Sequence, residues 1–440
     1  MVLKSRYKYL TKTSVSSRGY TIYKNELKSE DLEKIKKDLT VSPKAVPGYG
    51  NGETLSFKLY KENDTKIYLP RYYGIKKIGD PHINKQSKGK SINVPFNGSL
   101  RQYQIDILNS WDEHQKKYGG GIIAVGPGRG KTVMAIAKIC EKSVKTMILV
   151  HTSDLFHQWI ERLNQYAPTA KIGKIQGKTL DIKDKDIVIV SIQSLGNPKK
   201  DNEYPEGLFK DFGMVVIDEC HHMGAKMFSR CLIKTAFIYT MGLSATPDRA
   251  DGLTKVFKYY LGDICYQDTG IQKTEEEREL DHIPDAEVRI YKYMCNNRFY
   301  NKIELNYQRK PNTVVMESNI AKFGKRTDFI ISLLPALLEE GRKIIILTSR
   351  RDQILEFLKK IEERKIGTCG PYVGGMKIKD LNESKTKQIL IATYSMAEEG
   401  FDCQALDTLI MATPKRKIEQ CSGRIMRKKK NDRIHIPLII

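Results

Sequence analysis

Short apolar runs alternate with amphipathic, helix-like stretches from about residue 96 onward. Runs of four or five consecutive apolar residues are typical of buried strands, and strands that alternate with helices form βαβ units around a parallel sheet. The pattern therefore predicts a first α/β lobe over residues 96–272. Its predicted strands are Gly121–Val125, Met147–Val150, Ile187–Val190, Met214–Ile217 and Tyr239–Leu243.

The alternation resumes after an acidic stretch, KTEEERELDHIPD, at residues 273–285. A helical segment, RDQILEFLKKI, lies among three further apolar runs: Lys343–Leu347, Gln388–Ala392 and Thr408–Met411. We predict a charged linker over 273–285 and a second α/β lobe over 286–440. No repeat with the period of a solenoid is visible.

Residues 1–95 have a mixed pattern. A charged helical stretch, KSEDLEKIKKDL, precedes short alternating segments such as TLSFKLY and TKIYLPRYYG. NKQSKGKS (84–91) has the composition of a flexible connection. The predicted fold is therefore α/β, with two parallel-sheet lobes preceded by a small α+β N-terminal accessory domain.

The charge balance adds a class of partner to this picture. The chain has 75 Lys or Arg against 52 Asp or Glu, a net charge of +23. Residues 1–100 hold 20 of these basic residues, 9 acidic residues and nine tyrosines. Basic residues interleaved with aromatics suit a surface that contacts phosphates and stacks on bases. A lysine-rich surface over a tyrosine-containing core explains the same composition, and both interpretations remain open.

The cysteines exclude some metal sites. All eight are scattered and none forms a C-x-x-C pair, which argues against a zinc ribbon and an iron–sulfur cluster. Scattered cysteines suit a reducing compartment. The N-terminal residues lack the apolar core of a signal peptide, and no segment approaches 18 apolar residues. We expect an intracellular, soluble protein without a membrane anchor.

AVGPGRGKT (Ala124–Thr132) lies where a predicted strand meets a predicted helix. Its three glycines allow a tight turn whose N–H groups surround phosphate oxygens, and the helix N-terminus adds positive potential. Lys131 would reach the β- and γ-phosphates and Thr132 would bind Mg²⁺. Val125 stands where the strict motif has glycine, so this is a variant phosphate loop. Its predicted nucleotide-binding residues are Gly128, Arg129, Gly130, Lys131 and Thr132.

A second polar cluster, VVIDECHH (215–222), follows another predicted strand. Asp218 can hold Mg²⁺ through water, and Glu219 can orient and deprotonate an attacking water. His221 suits a sensor of a neighbouring loop. A metal site made of Cys220, His221 and His222 is disfavoured because adjacent residues point apart on a strand.

Four motifs occur in the order of the superfamily 2 helicases: GPGRGKT, DECH, SATP (244–247) and QCSGRIMR (420–427). Four further segments narrow the similarity to one type within this superfamily: LRQYQ (100–104), HQW (157–159), GLSATPDRADGL (242–253) and ATYSMAEEGFDCQALDTLI (392–410). The chain resembles DExH enzymes of the XPB/UvsW type, above all the transcript-release helicases of poxviruses and other large DNA viruses. The resemblance covers about residues 96–440.

This resemblance implies two RecA-like lobes that clamp ATP and Mg²⁺. Gln104 would read the adenine, and Gly400 and Asp402 would approach the nucleotide from the second lobe. Ser244 and Thr246, with His221, would couple the nucleotide state to the nucleic-acid groove. Gln420, Arg424 and Arg427 would close on the nucleotide, with Arg427 as the leading arginine finger.

The resemblance also implies nucleic-acid contacts through main-chain N–H groups, hydroxyls and arginines, which carry no sequence information. The candidates are Thr152, Ser194, Ser349 and Arg350. Trp159 could stack on a base, but the apolar residues near it in the sequence favour a place in the core.

The function predicted is an ATP-dependent motor on duplex or branched DNA, active in viral transcription, recombination or repair. An RNA helicase is the alternative enzyme. A third hypothesis is an ATP-switched factor that docks on RNA polymerase without separating strands. A viral origin would place the protein in the host cytoplasm, the nucleus or the virion.

Overall fold

The computed structural model describes residues 7–43, 56–126, 128–197, 207–220, 225–245, 252–268, 284–398, 403–415, 418–426, 428 and 430–440. The chain divides into two compact units, Met1–Gln272 and Lys273–Ile440. The predicted acidic linker therefore lies almost wholly outside the described residues.

In its described residues, the N-terminal segment forms a small sheet with two α-helices, α1 (Ser29–Asp38) and α2 (Arg71–Lys77). The sheet order is β5-β6-β2-β1-β7, and β3 pairs with β4 separately. The strands are β1 (Thr13–Ser16), β2 (Gly19–Tyr23), β3 (Thr40–Val41), β4 (Phe57–Lys58), β5 (Lys61–Glu62), β6 (Lys66–Leu69) and β7 (Ile83–Asn84).

The tyrosines of this segment belong mainly to its core. Tyr20 and Tyr73 are at most 1 % exposed, and Tyr60 and Tyr72 are also buried. Cations lie over several of the remaining rings. For example, the guanidinium carbon of Arg18 is 5.8 Å from the centre of the Tyr68 ring. The structure therefore favours a tyrosine core over a base-stacking surface here.

The prediction of a flexible connection at residues 84–91 was wrong. Gln86 Nε2 donates to Ala236 O at 2.6 Å, and Lys90 N donates to Asp211 O at 2.7 Å. A Cβ on Gly89 would lie 2.5 Å from Gly213 N, so this stretch is closely packed against the first lobe. The polar composition reflects main-chain and side-chain hydrogen bonds, which composition alone does not distinguish from solvation.

The first unit contains an eight-stranded sheet in its described part, with the order β11-β10-β12-β9-β13-β14-β8-β15. The pairs are parallel apart from β10 with β11. Its strands are β8 (Gly120–Ala124), β9 (Thr146–Val150), β10 (Ile172–Gln176), β11 (Thr179–Asp181), β12 (Ile187–Ser191), β13 (Met214–Ile217), β14 (Tyr239–Ser244) and β15 (Ile264–Gln267).

Helices cover this sheet because each buries one apolar stripe. In α5, Leu155, Trp159 and Leu163 repeat at four-residue spacing and are buried. The helices are α3 (Gln102–Tyr118), α4 (Lys131–Lys142), α5 (Ser153–Tyr166), α6 (Ile192–Leu195), α7 (Ala225–Leu232) and α8 (Thr254–Leu261).

The second unit repeats this arrangement with a six-stranded sheet in its described residues, in the order β16-β21-β20-β17-β19-β18. Its strands are β16 (Glu287–Val288), β17 (Ile344–Thr348), β18 (Cys369–Tyr372), β19 (Ile389–Thr393), β20 (Thr408–Met411) and β21 (Leu438–Ile439). Its helices are α9 (Thr313–Lys322), α10 (Gly324–Ser332), α11 (Leu334–Glu339), α12 (Arg351–Glu363), α13 (Ile378–Thr386), α14 (Tyr394–Glu398) and α15 (Glu419–Ser422).

The predicted α/β class with two parallel-sheet lobes is confirmed. The central strands of both sheets are completely buried, as expected for strands with helices on both faces. Tyr260 Oη donates to Leu59 O at 2.8 Å, and one apolar cluster joins the N-terminal segment to the first lobe. The boundary of a separate accessory domain at residue 95 stays a prediction. Within the described residues, none of the helices has the length and apolar character needed to cross a membrane.

Candidate nucleotide site and nucleic-acid contacts

The phosphate loop connects β8 to α4, and two of its glycines are required by the backbone. Gly128 and Gly130 have φ angles of 79° and 77°, in the left-handed region that favours glycine. A Cβ on Gly130 would also lie 2.3 Å from Gln104 Nε2. Val125 is buried and its N–H donates to Ser244 O at 3.0 Å, so it continues the strand pairing. That pairing explains why a bulky residue is accommodated at the variant position.

Lys131 begins α4 and its ammonium group points back into the loop. Lys131 Nζ donates to Val125 O at 3.1 Å and lies 3.6 Å from Glu219 Oε1. The Lys131 side chain is only 10 % exposed. The structure therefore brings the lysine of the first motif and the carboxylate of the second motif into contact. Thr132 follows as the second residue of α4.

Asp218 and Glu219 lie immediately after β13. Asp218 is buried, and its Oδ2 accepts a 2.9 Å hydrogen bond from Trp159 Nε1. Glu219 has a φ of 45°, which is uncommon for a residue with a side chain, and its N–H donates to Asp218 Oδ1 at 2.9 Å. Strained conformations of this kind occur often at functional sites.

Trp159 makes a polar contact with the site that the sequence did not predict. Its ring is buried as expected, but its N–H fixes the Asp218 carboxylate. A buried indole usually has a hydrogen-bond partner for its N–H, and that rule is the signal that points to a polar role.

Electrostatics make Asp218 a site that favours an added cation. Burial, and then the negative charge of Glu219, raise the pKa of Asp218 above its ordinary value. Lys131 and the Trp159 N–H act in the opposite direction. Two adjacent carboxyl groups under these conditions gain from a nearby positive charge.

The donor set fits ATP with Mg²⁺. Mg²⁺ prefers hard oxygen ligands and keeps several waters, so Asp218 and the Thr132 hydroxyl are suitable partners. The loop N–H groups, the N-terminus of α4 and Lys131 suit phosphate oxygens. ATP supplies the phosphoanhydride bond, and Glu219 is the group in this cluster that can accept a proton from water.

Gln104 and Arg129 fix the loop in this structure. Gln104 Oε1 accepts from Arg101 N at 2.9 Å, and Gln104 Nε2 donates to Arg129 O at 3.2 Å. Arg129 Nε lies 3.4 Å from Asp268 Oδ2, and its guanidinium group lies over the Tyr103 ring. The side chain of Arg129 thus stabilises the loop, and the main chain is the better phosphate ligand. Adenine recognition by Gln104 stays a prediction.

The remaining first-unit candidates differ in accessibility. Thr152 caps α5 by accepting from Leu155 N at 3.3 Å, and Ser244 is fully buried at the end of β14. Ser194 is 7 % exposed, and its Oγ accepts from Gly177 N at 2.8 Å. The predicted phosphate contact through Ser194 is therefore not supported, because its hydroxyl is buried and already bonded to the Gly177 main chain.

In the second unit, Arg424 Nε donates to Ala397 O at 2.7 Å. Ser349 is exposed beyond β17. Arg350 Nη2 donates to Val314 O at 3.1 Å, and Arg350 lines a pocket of about 250 Å³ together with Lys322 and two carboxylates, Asp352 and Glu356. Phosphate contacts through Ser349 and Arg350 stay predictions.

Some predicted residues fall outside the part of the chain that the structure describes. These are His221, Thr246, Gly400, Asp402 and Arg427, together with the side chain of Gln420. Their roles stay predictions.

Comparison with known proteins assigns the class. Residues 97–249 match the family described as "Type III restriction enzyme, res subunit", and residues 325–429 match "Helicase conserved C-terminal domain". A protein of Acanthamoeba polyphaga mimivirus, named as the ATP-dependent RNA helicase L396, is 35 % identical over 95 % of this chain and 79 % of its own length. The chain therefore belongs to the superfamily 2 helicases, which are ATP-hydrolysing enzymes.

Other viral proteins extend the comparison. An African swine fever virus protein named as the ATP-dependent RNA helicase QP509L is 26 % identical over 94 % of this chain and 84 % of its own length. Helicase 161L of Invertebrate iridescent virus 6 is 24 % identical over 92 % of this chain and 89 % of its own length. A SWI2/SNF2 ATPase core of Sulfolobus solfataricus with dsDNA matches at a TM-score of 0.36 and 15 % identity, over 80 % of this chain and 89 % of that one. A likeness at that level says nothing about the substrate of this chain.

Proposed function

We propose that this helicase is a DNA motor of the XPB/UvsW type, belonging to the DExH class. The observation that carries its ATPase mechanism is the contact between Lys131 and Glu219 beside the buried Asp218. The choice of DNA is supported by the resemblance of LRQYQ, HQW and GLSATPDRADGL to that type.

In the proposed mechanism, Lys131 and the loop bind the phosphates, and Asp218 with Thr132 would hold Mg²⁺, which would offset negative charge on the phosphates. Glu219 orients the attacking water and accepts its proton. Arg427, the leading arginine finger, and Arg424 neutralise negative charge that develops on the transferred phosphoryl group, and Gln420 closes on the nucleotide through its uncharged amide. The work is divided between a first lobe (96–272) and a second lobe (286–440), which move along a strand as they close and open.

An RNA helicase is the second candidate, and the names of the mimivirus and African swine fever virus relatives favour it. Both relatives cover more than nine-tenths of this chain. The third hypothesis, an ATP-switched factor that docks on RNA polymerase, is motivated by the basic N-terminal segment. An intracellular location, in the host or the virion, is part of the proposal.

Displacement of a third strand from triplex DNA tests movement on a duplex directly. We expect ATP-dependent displacement by the wild-type protein and none by Lys131→Ala, which loses the phosphate-binding ammonium group. Unwinding of an RNA duplex without triplex displacement would establish the RNA helicase instead. Failure of both assays, combined with ATP-dependent binding to RNA polymerase, would establish the docking factor.

A further inference from the structure

Residues 289–310, here called the aromatic–basic segment, expose an unusual amount of apolar surface. The described residues include eighteen exposed large apolar side chains, and seven of them lie in this segment. Phe299 is 79 % exposed and Tyr307 is 86 % exposed. Concentrated apolar exposure marks an interaction surface more often than isolated exposed residues do.

The segment is anchored by other rings, so the exposure is a defined feature of the fold. Tyr300 packs on Phe323 with ring centroids 4.8 Å apart, and Tyr293 packs on Phe329 at 5.5 Å. Four of its five aromatic residues therefore divide into an inner pair, Tyr293 and Tyr300, and an outer pair, Phe299 and Tyr307. The fifth, Tyr291, is 47 % exposed and also packs on Phe329.

Two asparagine-based turns present the outer rings. Asn297 Oδ1 accepts from the main-chain N–H groups of Phe299 and Tyr300, both at 3.0 Å. Asn306 Oδ1 accepts from Gln308 N at 2.9 Å and Lys310 N at 3.0 Å, which closes the turn that carries Tyr307. Such local bonds hold a loop in one conformation without burying its tip.

The segment is also strongly cationic, with six Lys or Arg and one Glu in 22 residues. Arg289 is paired with Glu287, and Lys302 is paired with Glu304. Within the described part of the chain, the other four cations form no ion pair with a carboxylate, and all four are exposed: Lys292, Arg298, Arg309 and Lys310.

We propose that the aromatic–basic segment binds single-stranded nucleic acid, with bases stacked on Phe299 and Tyr307 and phosphates held by the four exposed cations. Exposed rings beside cations match both chemical components of a single strand, its π-faces and its charged backbone. A purely acidic protein partner would use the charges but would leave the rings without a matching group. This inference rests on the proposed function, because it adds a contact for the nucleic acid on which the motor acts.

Equilibrium binding of labelled oligo-dT and oligo-U of equal length, followed by fluorescence anisotropy, tests the stacking contacts. Each ring is expected to contribute about 5- to 150-fold in affinity, as stacking on an aromatic side chain does. Phe299→Ala combined with Tyr307→Ala should weaken binding by at least about 5-fold for each ring removed. Tyr118→Ala, which removes a 37 % exposed ring in the first unit, is the matched control and should bind as the wild type does.

The salt dependence separates stacking from charge. Replacing the four exposed cations with Gln should flatten the dependence of log Kd on log salt by about 0.7 for each phosphate that the variant no longer neutralises. The double aromatic variant should keep the wild-type slope, because stacking releases no counterions. Circular dichroism and thermal melting confirm that both variants are folded.

Each remaining outcome has one meaning. Wild-type affinity in both variants would overturn the inference while leaving the proposed function intact. Failure of the wild-type protein to bind either oligonucleotide would overturn the inference, and triplex displacement would then decide separately whether the proposed function holds. Polyglutamate, measured in the same way, serves as a model of an acidic protein. If the variant without the four cations loses polyglutamate binding but keeps oligonucleotide binding, the inference is overturned in favour of an acidic protein partner.

Discussion

The carboxyl edges of the two parallel sheets carry different chemistry. In the first unit, an ammonium group contacts a carboxylate 3.6 Å away, next to the buried Asp218. In the second unit, three arginines near the ends of β17, β19 and β20 donate to main-chain carbonyls. These bonds join Arg350 to Val314, Arg424 to Ala397 and Arg326 to Ala412.

The difference shows how two largely parallel sheets with different strand orders support two roles. Carbonyl oxygens hold an arginine in place without cancelling its charge, whereas a carboxylate partner would neutralise it. Arg326 illustrates the cost of this arrangement, because burial lowers the pKa of its guanidinium group. We infer that the first unit binds phosphate and activates water, and that the second unit supplies fixed positive charge. Substitutions on the two edges should therefore have different kinetic signatures.

The largest effect is expected from Glu219→Gln in the first unit. The amide keeps the shape of the side chain but cannot accept a proton from water, and general-base catalysis contributes about 10²–10⁴-fold. Steady-state ATPase activity should fall by that factor while binding of a fluorescent ATP analogue stays close to wild type.

Glu113→Gln, on the exposed surface of α3, is the control for loss of a carboxylate. Turnover at the wild-type rate in Glu219→Gln would remove Glu219 as the general base, and the assignment of water activation to the first unit would fail.

Arg424→Ala tests the second unit and should have the next largest effect. Loss of one fixed donor to developing charge costs about 10²-fold in kcat. Because the phosphate loop belongs to the first unit, ATP-analogue binding should change little. Arg364→Ala, which removes an arginine paired with Asp328 in the same unit, is the control. A loss of nucleotide affinity without a loss of kcat would contradict the division of roles.

Trp159→Phe should have the smallest effect of the three. It removes the N–H that donates to Asp218, and hydrogen bonds to charged groups contribute about 1.5–3 kcal/mol. Denaturant unfolding should show a loss in this range beyond that of Trp111→Phe, with a higher Mg²⁺ requirement for ATPase activity.

Trp111 is a matched control because it is equally buried and its Nε1 has no hydrogen-bond partner in the described residues. Equal losses of stability and equal Mg²⁺ requirements in the two variants would show that the Trp159 N–H does not position Asp218.

Much of the fold was predictable because it depends on local pattern. The run predicted at Met214–Ile217 is β13, and the helical pattern of RDQILEFLKKI lies in α12. Fully apolar strands carry a strong signal, since both faces are buried. The packing of residues 84–91 was missed because several of its hydrogen-bond partners lie more than 100 residues away in the chain.

The site was predictable where motifs encode chemistry. Lys131, Asp218 and Glu219 were expected to act together, and the structure places them in one cluster. The role of Trp159 depends on a side-chain contact across 59 positions, which no local pattern reports.

Composition also failed to distinguish two basic, aromatic regions, because burial decides whether a ring is available. The N-terminal segment buries most of its described tyrosines, and the aromatic–basic segment exposes Phe299 and Tyr307.

Steady-state ATPase activity with no nucleic acid, duplex DNA, single-stranded DNA and RNA is the most direct test of the central claim. Lys131→Ala serves as the blank, because it removes the ammonium group that contacts Glu219. We predict strong stimulation by DNA over RNA, absent in the variant. Stimulation of the ATPase activity by RNA alone would contradict a DNA motor, and so would the absence of stimulation by any of the nucleic acids.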